Sequence, residues 1–318
     1  METPAEISYI SEIERMKREK NVIILAHYYQ TGDIQDIADY VGDSLGLSQK
    51  AASTDADIIV FAGVKFMAET AKILAPHKKV LIPDMNAGCS LADSCNPDEF
   101  KKFIEANPGR TVLTYINTSA EIKALSDIIC TSSNAEKIIE SLPKTEKIIF
   151  APDKNLGNYI LNRTGRDMKI WDGKCHVHEE FSLEAIISLK QQYPDAKVIV
   201  HPECTLPVRL VADYIGSTSS LLSYTIEDNS STYIVATEAG IIHQMRKTNN
   251  YKIYIPVPPN DSTCACNECN FMKLITIKKI YSCIKDEIPE IVIDSDVISR
   301  AQTPIKRMLE FSVNPVSL

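Results

Sequence analysis

Short apolar runs alternate with helical patterns along the whole chain, and the first of these runs occurs three times. Val22–His27, Thr111–Tyr115 and Lys197–His201 are rich in β-branched residues, and each ends on a polar side chain. Runs of this length and composition predict buried strands. Their last positions, 27, 115 and 201, are separated by 88 and 86 residues. A pattern that returns at nearly constant intervals predicts three copies of one structural unit.

Nearly the same intervals recur downstream of each first strand, except that the loop Pro258–Glu268 lengthens the last interval between the cysteines to 94 residues. A small-residue motif precedes a helical pattern, and a second strand, a helical stretch, a third strand and a cysteine follow. The motifs are Gly42–Ser44, Cys130–Ser132 and Gly216–Thr218, the second strands are Ile58–Ala62, Ile148–Ala151 and Tyr233–Ala236, the helical stretches are Phe66–Leu74, Leu156–Leu161 and Ala239–Met245, the third strands are Val80–Pro83, Met168–Trp171 and Lys252–Pro256, and the cysteines are Cys89, Cys175 and Cys269.

Strands that alternate with helices predict βαβ units with parallel sheets. We therefore predict an α/β fold of three similar three-layer domains around a pseudo-three-fold axis. The predicted domains are residues 1–95, which include an amphipathic N-terminal helix, residues 96–182, and residues 183–318, which include a C-terminal helix. The alternative is one large doubly wound domain whose strands are merely alike.

The composition of the chain limits the partners and the cellular compartment that we expect for it. A net charge of −8 disfavours nucleic acid or an acidic membrane surface as the main partner. No run approaches the roughly 20 apolar residues that span a bilayer, and the charged N-terminal stretch lacks the apolar core of a signal peptide. We expect a cytoplasmic protein, whose nine cysteines stay free of a disulfide framework in a reducing compartment.

Three of these cysteines occupy equivalent places in the repeat. Ligands of parallel sheets lie at the carboxyl ends of the strands, so Cys89, Cys175 and Cys269 are expected to converge there. Three thiolates suit zinc or an iron–sulfur cluster, and a four-iron cluster would keep one iron open as a Lewis acid. Cys264 and Cys266 remain alternative third ligands, or members of a zinc knuckle or thiol pair. We expect the other four cysteines to pack as small apolar residues.

Other polar residues at the strand ends suit an anionic ligand and proton transfer. Ser44, Ser132 and Thr218 precede helical patterns, where hydroxyls and backbone N–H groups bind anions or simply cap a helix. His27, Tyr29, Tyr115, His201 and Glu203 can donate or accept protons. The alternative for isolated histidines is a structural role, but equivalent positions at His27 and His201 favour function.

These residues form motifs that resemble the bacterial and archaeal quinolinate synthase family. The resemblance extends from about Val22 to Tyr281. The motifs are His27-Tyr-Tyr-Gln30, Gly42-Asp-Ser44, Phe66-Met-Ala-Glu69, Ala87-Gly-Cys-Ser-Leu-Ala-Asp93, Tyr115-Ile-Asn117, Cys130-Thr-Ser-Ser-Asn-Ala135, Trp171-Asp-Gly-Lys-Cys-His-Val-His178, His201-Pro-Glu-Cys204, Gly216-Ser-Thr218 and Cys269-Asn-Phe-Met272. Tyr28 departs from the asparagine that is frequent after the histidine in this family.

The resemblance implies a fold, a cofactor and a reaction. The implied fold is three α/β domains around a pseudo-three-fold axis, and the implied cofactor is one [4Fe–4S] cluster per chain, held by Cys89, Cys175 and Cys269. The implied reaction condenses iminoaspartate with dihydroxyacetone phosphate to quinolinate for NAD biosynthesis, with the imine supplied by an aspartate oxidase or an aspartate dehydrogenase. The residues implied to surround the dicarboxylate are His27, Ser44, Tyr115, Asn117, Ser132, His201, Glu203, Ser217 and Thr218. Those implied to be catalytic are His27, Tyr29, Tyr115, His178, His201 and Glu203.

Two other classes of function compete with this one. A three-unit iron–sulfur enzyme of the diphthamide type would generate a radical from S-adenosylmethionine and modify a protein. The His-Pro-Glu and Gly-Ser-Thr motifs disfavour it, because they predict a pocket for a small dicarboxylate. A zinc-stabilised repeat that binds a partner would have closed tetrahedral coordination and no turnover.

Overall fold

The computed structural model describes the backbone of residues 4–259 and 267–313, and the side chains of residues 8–259 and 267–312. The first unit contains β1 (Val22–His27), β2 (Tyr40–Gly42), β3 (Ile58–Ala62) and β4 (Lys79–Leu81), with α1 (Pro4–Glu19), α2 (Gly32–Ile37), α3 (Ser44–Ser53), α4 (Lys65–Leu74) and α5 (Ser90–Asp93).

The other two units follow the same plan. The second contains β5 (Thr111–Tyr115), β6 (Ile128–Cys130), β7 (Ile148–Ala151) and β8 (Met168–Ile170), with α6 (Pro97–Glu105), α7 (Ala120–Lys123), α8 (Ala135–Ser141), α9 (Lys154–Thr164) and α10 (His176–Glu179). The third contains β9 (Lys197–Val200), β10 (Tyr214–Ile215), β11 (Thr232–Ala236) and β12 (Ile253–Pro256), with α11 (Leu183–Gln192), α12 (Leu206–Leu210), α13 (Thr218–Glu227) and α14 (Ile241–Thr248). A 3₁₀ turn (Met272–Leu274), α15 (Ile277–Asp286) and α16 (Ser295–Val313) complete the described chain.

Each unit has one four-stranded parallel sheet with the same strand order. The orders are β2-β1-β3-β4, β6-β5-β7-β8 and β10-β9-β11-β12. The predicted fold class, three similar α/β units with parallel sheets, is therefore confirmed. The sequence pattern missed β2, β6 and β10, because these strands of two or three residues overlap or adjoin the small-residue motifs that begin at Gly42, Cys130 and Gly216.

A reciprocal pair of hydrogen bonds closes the edge of every sheet. An aspartate before each short edge strand accepts the backbone N–H of a residue in the neighbouring strand and donates its own N–H to the same residue's carbonyl. The carboxylate contacts are Asp39 with Ile24 (2.7 Å), Asp127 with Val112 (2.8 Å) and Asp213 with Val198 (2.8 Å). These aspartates are 88 and 86 residues apart, so they follow the repeat predicted from the strands.

The cores lie on both faces of the sheets. β1, β3 and β7 are buried along their whole length, which is why they read as continuous apolar runs rather than alternating ones. Ile13 and Met16 on α1 are buried, as the amphipathic pattern predicts, and α1 packs against α15. α16 packs against α4, α7 and β6. In the described part of the chain, every helix is too short or too polar to cross a bilayer.

The three units meet at the side chain of Asp43, which precedes α3. Its Oδ2 accepts hydrogen bonds from Ser133 Oγ (2.8 Å) in the second unit and Ser219 Oγ (2.5 Å) in the third. Its Oδ1 accepts the backbone N–H of Gly46 and caps α3 (2.9 Å). Ser133 and Ser219 are 86 residues apart, so equivalent turns of two units contact one carboxylate of the third.

Candidate active site

One cavity opens where the carboxyl ends of the three sheets meet, the edge at which parallel sheets bind ligands. Residues of all three units line it. The predicted site residues found in its wall are His27, Tyr29, Ser44, Cys89, Tyr115, Asn117, Ser132, Cys175, His178, His201, Glu203, Thr218 and Cys269. Ser217 is buried beside the cavity instead, where its hydroxyl caps α13 by accepting the backbone N–H of Ser220 (3.3 Å).

Each of the three cavity cysteines begins a short helical turn. The carbonyl of each cysteine accepts the backbone N–H of the residue four positions later, at 2.9, 3.0 and 3.2 Å for Cys89, Cys175 and Cys269. Burial raises the pKa of all three thiols, and that of Cys89 rises to about 12. The backbone N–H groups three residues later, those of Ala92, His178 and Met272, oppose this shift by donating to the sulfurs.

This arrangement fits a metal centre better than it fits free thiols. Backbone donors stabilise sulfur as a thiolate, which is the form that binds a metal. Repulsion from Cys269 adds to the raised pKa of Cys89, and repulsion from Cys89 adds to the raised pKa of Cys175. A shared cation would reverse that repulsion. A soft metal or iron–sulfur centre therefore suits the chemistry of this donor set.

The remaining cysteines divide into two groups. Cys95, Cys130, Cys204 and Cys283 are buried among apolar side chains, which confirms the expectation that they serve packing. Cys264 and Cys266, the alternative third ligands, lie outside the described residues.

A second set of possible metal donors overlaps the first. One ligand atom from each of Cys175, His178 and Glu203 lies within 4.8 Å of the other two. His178 Nδ1 is 3.3 Å from Cys175 Sγ and 3.1 Å from Glu203 Oε2. The imidazole therefore lies between a cysteine and a buried carboxylate, which is how carboxylates orient histidines around metals.

Glu203 is the centre of the polar network in the cavity wall. Its burial would raise the pKa of the carboxyl, but His178, His201 and the hydroxyl of Tyr115 outweigh burial and lower it. Tyr115 donates to Glu203 Oε1 at 2.5 Å. An ionised carboxylate only accepts hydrogen bonds, so His178 Nδ1 carries the proton in its contact with Glu203. The Glu203 contact thereby sets the tautomer of His178.

The other nitrogen of His178 leads to a chain of hydroxyls. Its Nε2 is 3.0 Å from Thr237 Oγ1, and Thr237 is 2.8 Å from the hydroxyl of Tyr29. Tyr29 also contacts Thr218 Oγ1 at 2.9 Å. The contacts form a continuous path from Tyr29 through Thr237 and His178 to Glu203. The sequence pattern did not predict Thr237 as a site residue, because it follows a second strand and belongs to none of the motifs that carry the family resemblance.

His27 and His201 have equivalent hydrogen bonds in the first and third units. In each, Nδ1 accepts the backbone N–H of the residue two positions later, Tyr29 at 3.2 Å and Glu203 at 3.4 Å. Burial lowers the pKa of His27 to about 4 and, helped by His178, that of His201 to about 3. Both rings are therefore neutral near pH 7, and their Nε2–H groups are donors. The Nε2 of His201 lies 3.3 Å from Ser132 Oγ.

The three hydroxyl residues differ in their relation to the helices. Ser44 and Thr218 are the first residues of α3 and α13, whose caps are Asp43 and Ser217. Plain capping therefore does not explain Ser44 and Thr218. Ser132 precedes α8, as the pattern predicts, but it lies three residues before the first residue of that helix, whereas Ser44 and Thr218 are first residues themselves. The reason is a turn in which the side chain of Asn134 accepts the backbone N–H of Thr131 (2.7 Å).

Asn117 adds an unsatisfied acceptor to the cavity wall. Its Oδ1 is buried and makes no hydrogen bond within the part of the chain that the structure describes. A buried amide oxygen without a partner costs free energy, so a ligand that donates to it would bind favourably.

Comparison with known proteins shows the family to which this chain belongs. The model of the family described as quinolinate synthetase A protein matches residues 11–310. The chain belongs to the quinolinate synthetase A family. Named quinolinate synthases from Microcystis aeruginosa and Thermosynechococcus vestitus are 59% and 57% identical to it over 300 and 309 residues. The aligned parts cover 94% and 97% of this chain, and the same shares of the two relatives.

A more distant relative extends the match beyond these two species. The quinolinate synthase of Chloroherpeton thalassium is 54% identical over 308 residues, which cover 97% of this chain and 96% of the relative. The family predicted from the motifs is thus confirmed. The chain is an enzyme of the synthase class, in a family that serves NAD biosynthesis and acts on small molecules.

Proposed function

We propose that this chain condenses iminoaspartate with dihydroxyacetone phosphate, giving quinolinate, phosphate and two waters on the route to NAD. The observation that carries the proposal is one cavity in which three cysteines, from three units, lie beside a buried histidine–glutamate network. Membership of the quinolinate synthetase A family supports the same reaction.

We infer that Cys89, Cys175 and Cys269 hold one [4Fe–4S] cluster. The support is the equivalent placement of the three cysteines, the backbone donors at their sulfurs and their partial exposure to the cavity. Three protein ligands for four irons would leave one iron without a protein ligand, and that iron would supply Lewis-acid chemistry toward a carbonyl or hydroxyl oxygen.

The neutral imidazoles of His27 and His201 suit the binding of a dicarboxylate. Each offers an Nε2–H donor from a buried ring, and donors of this kind are strong toward a carboxylate in a site that excludes water. Ser44 and Thr218 at the first turns of α3 and α13 add hydroxyls near helix N-termini, which favour anions. Asn117 can accept a hydrogen bond from the imine nitrogen or a hydroxyl of the substrate.

Glu203 and its neighbours suit the proton transfers of the reaction. Tautomerisation and two dehydrations each need a proton to be removed and returned. Glu203 is ionised near neutral pH, so it can accept a proton through Tyr115 Oη or through His178 Nδ1. Tyr29 can deliver a proton to the cavity and regain one along the path through Thr237 Oγ1 and His178 Nε2.

An anaerobic assay with both substrates tests the proposal. Protein purified without oxygen is mixed with iminoaspartate and dihydroxyacetone phosphate, and quinolinate and phosphate are measured by chromatography. We expect equal amounts of the two products, and neither product when one substrate is left out. Iron-loaded protein that forms no quinolinate would refute the proposed reaction. The enzyme that supplies the imine and the cytoplasmic location stay predictions.

A further inference from the structure

A backbone tether recurs beside each of the three cysteines. In every unit the segment after the second strand donates a backbone N–H to the carbonyl two residues before the cysteine. The three hydrogen bonds are Lys65 N to Ala87 O (2.7 Å), Lys154 N to Gly173 O (2.8 Å) and Ala239 N to Asn267 O (3.1 Å). This contact is common to all units, so it belongs to the repeat rather than to the chemistry of one cysteine.

Two of the units add a second tether, made by a buried carboxylate. The residue two positions after the second strand is Asp153 in the second unit and Glu238 in the third, and both are fully buried. Asp153 Oδ2 accepts the backbone N–H of Cys175 at 3.0 Å, and Glu238 Oε1 accepts that of Cys269 at 3.1 Å. The equivalent residue of the first unit is Val64, whose side chain has no acceptor.

The second oxygen of each carboxylate is also engaged. Asp153 Oδ1 accepts the backbone N–H of Leu156 (2.9 Å) and so caps α9. Glu238 Oε2 accepts the N–H of Gly240 (2.7 Å), and its Oε1 also pairs with Lys273 Nζ (2.9 Å). Each carboxylate therefore joins a cysteine to the segment that follows the second strand. A carboxylate can accept with both oxygens, whereas an amide has one acceptor and one donor end.

We infer that Asp153 and Glu238 are positioning residues that hold the backbones of Cys175 and Cys269 so that their sulfurs face the metal centre. The inference rests on the proposed cluster. Outer partners of this kind orient metal ligands, and their loss typically costs about 10–100-fold in metal affinity. Neither residue belongs to a motif quoted from the sequence.

Asp153→Asn tests the inference selectively. Asparagine is a good helix cap, so its oxygen can keep the contact with Leu156 while its NH₂ group faces the Cys175 N–H. Iron loss to a chelator is followed by cluster absorbance under anaerobic conditions. We expect iron loss on the order of tenfold faster than in the unchanged protein. The melting temperature of the iron-free protein should hardly change.

A second variant and a matched control complete the experiment. Glu238→Gln should also lose iron faster, because its amide cannot serve both Cys269 and Gly240. The control is Glu69→Gln, which changes a buried carboxylate that accepts the N–H of Ala120 (3.1 Å), and it should lose iron at the unchanged rate.

The outcomes separate this inference from the proposed function. Iron in the unchanged protein, with Asp153→Asn and Glu238→Gln as slow to lose it as Glu69→Gln, would overturn the inference alone. Variants whose iron-free forms melt far below the unchanged protein would show a structural role and overturn it as well. Absence of iron from the unchanged protein would overturn the proposed cluster, and the inference with it.

Discussion

At the edge of each sheet the three units carry the same aspartate in the same pair of hydrogen bonds, whereas at the cavity their equivalent positions differ. The first strands β1 and β5 end on His27 and Tyr115, and His201 directly follows β9. The edge contacts serve the same structural purpose in all three units, so the same residue type, aspartate, makes each of them. The cavity must surround one ligand that has no three-fold symmetry, and equivalent positions can therefore provide different donors and acceptors. Structural repetition and chemical divergence thus occupy opposite parts of each unit.

The cysteines are the exception at the cavity, because they are identical in all three units, and replacing one should have the largest effect. We expect Cys89→Ala, Cys175→Ala or Cys269→Ala to abolish cluster absorbance and turnover together. The measurements are iron content and quinolinate formation. Cys283→Ala is the control, since it changes a buried cysteine in the apolar core. If one of these three cysteine variants keeps its full iron content and activity, that result would contradict the proposal that the three cysteines hold one metal centre.

Glu203 belongs to the part of the cavity in which the three units differ. Glu203→Gln should keep its iron but lower kcat by about 10²–10⁴-fold, because the amide cannot take up a proton from Tyr115 or His178. Iron content and kcat are measured on the same preparation. Unchanged kcat at full iron would remove Glu203 from the proton transfers.

The buried histidines predict how the stability of the iron-free protein depends on pH. Below the ordinary pKa of 6.5 the unfolded chain takes up protons, whereas folded His27 and His201 stay neutral down to about pH 4 and 3. Each lowered pKa therefore reduces the free energy of unfolding as pH falls from 6.5 to about 4. The reduction is about 1.4 kcal/mol per pH unit for each group. Denaturant titrations at several pH values measure it.

A matched variant isolates the contribution of His201. His201→Gln should reduce the slope of the free energy of unfolding against pH by the contribution of one proton, about 1.4 kcal/mol per pH unit. An equally steep decline in the variant would assign the pH dependence to other groups.

The aspartates at the sheet edges should have the smallest effect, and only on stability. Asp127→Ala leaves the N–H of Val112 without its side-chain acceptor, which we expect to cost about 1 kcal/mol of the free energy of unfolding. Iron content and turnover should stay unchanged. A loss of iron in this variant would mean that the edge and the cavity are not independent.

The repeat explains why much of the site could be predicted from the sequence. Regular spacing placed Cys89 and Cys175 at equivalent positions, and the rule that ligands lie at strand ends brought His27 and His201 to the same cavity. These predictions needed only the periodicity of the chain and the direction of its strands, whereas the choice of Cys269 over Cys264 and Cys266 needed the family resemblance as well.

Other features depend on contacts that the sequence pattern does not reveal. Asp153 and Glu238 act through hydrogen bonds to the backbone of distant cysteines, so their own neighbours in the sequence gave no signal. Comparing position 64 with positions 153 and 238 across the repeat could have found them. The turn between Ser132 and α8 escaped prediction, because it depends on a local contact in which the side chain of Asn134 accepts the backbone N–H of Thr131.

The most direct test is the metal and sulfide content of the unchanged protein after purification without oxygen. The proposed [4Fe–4S] cluster predicts about four iron atoms and four sulfides per chain, with an absorbance spectrum typical of a cluster. One tightly bound zinc per chain, with neither iron nor sulfide, would contradict it.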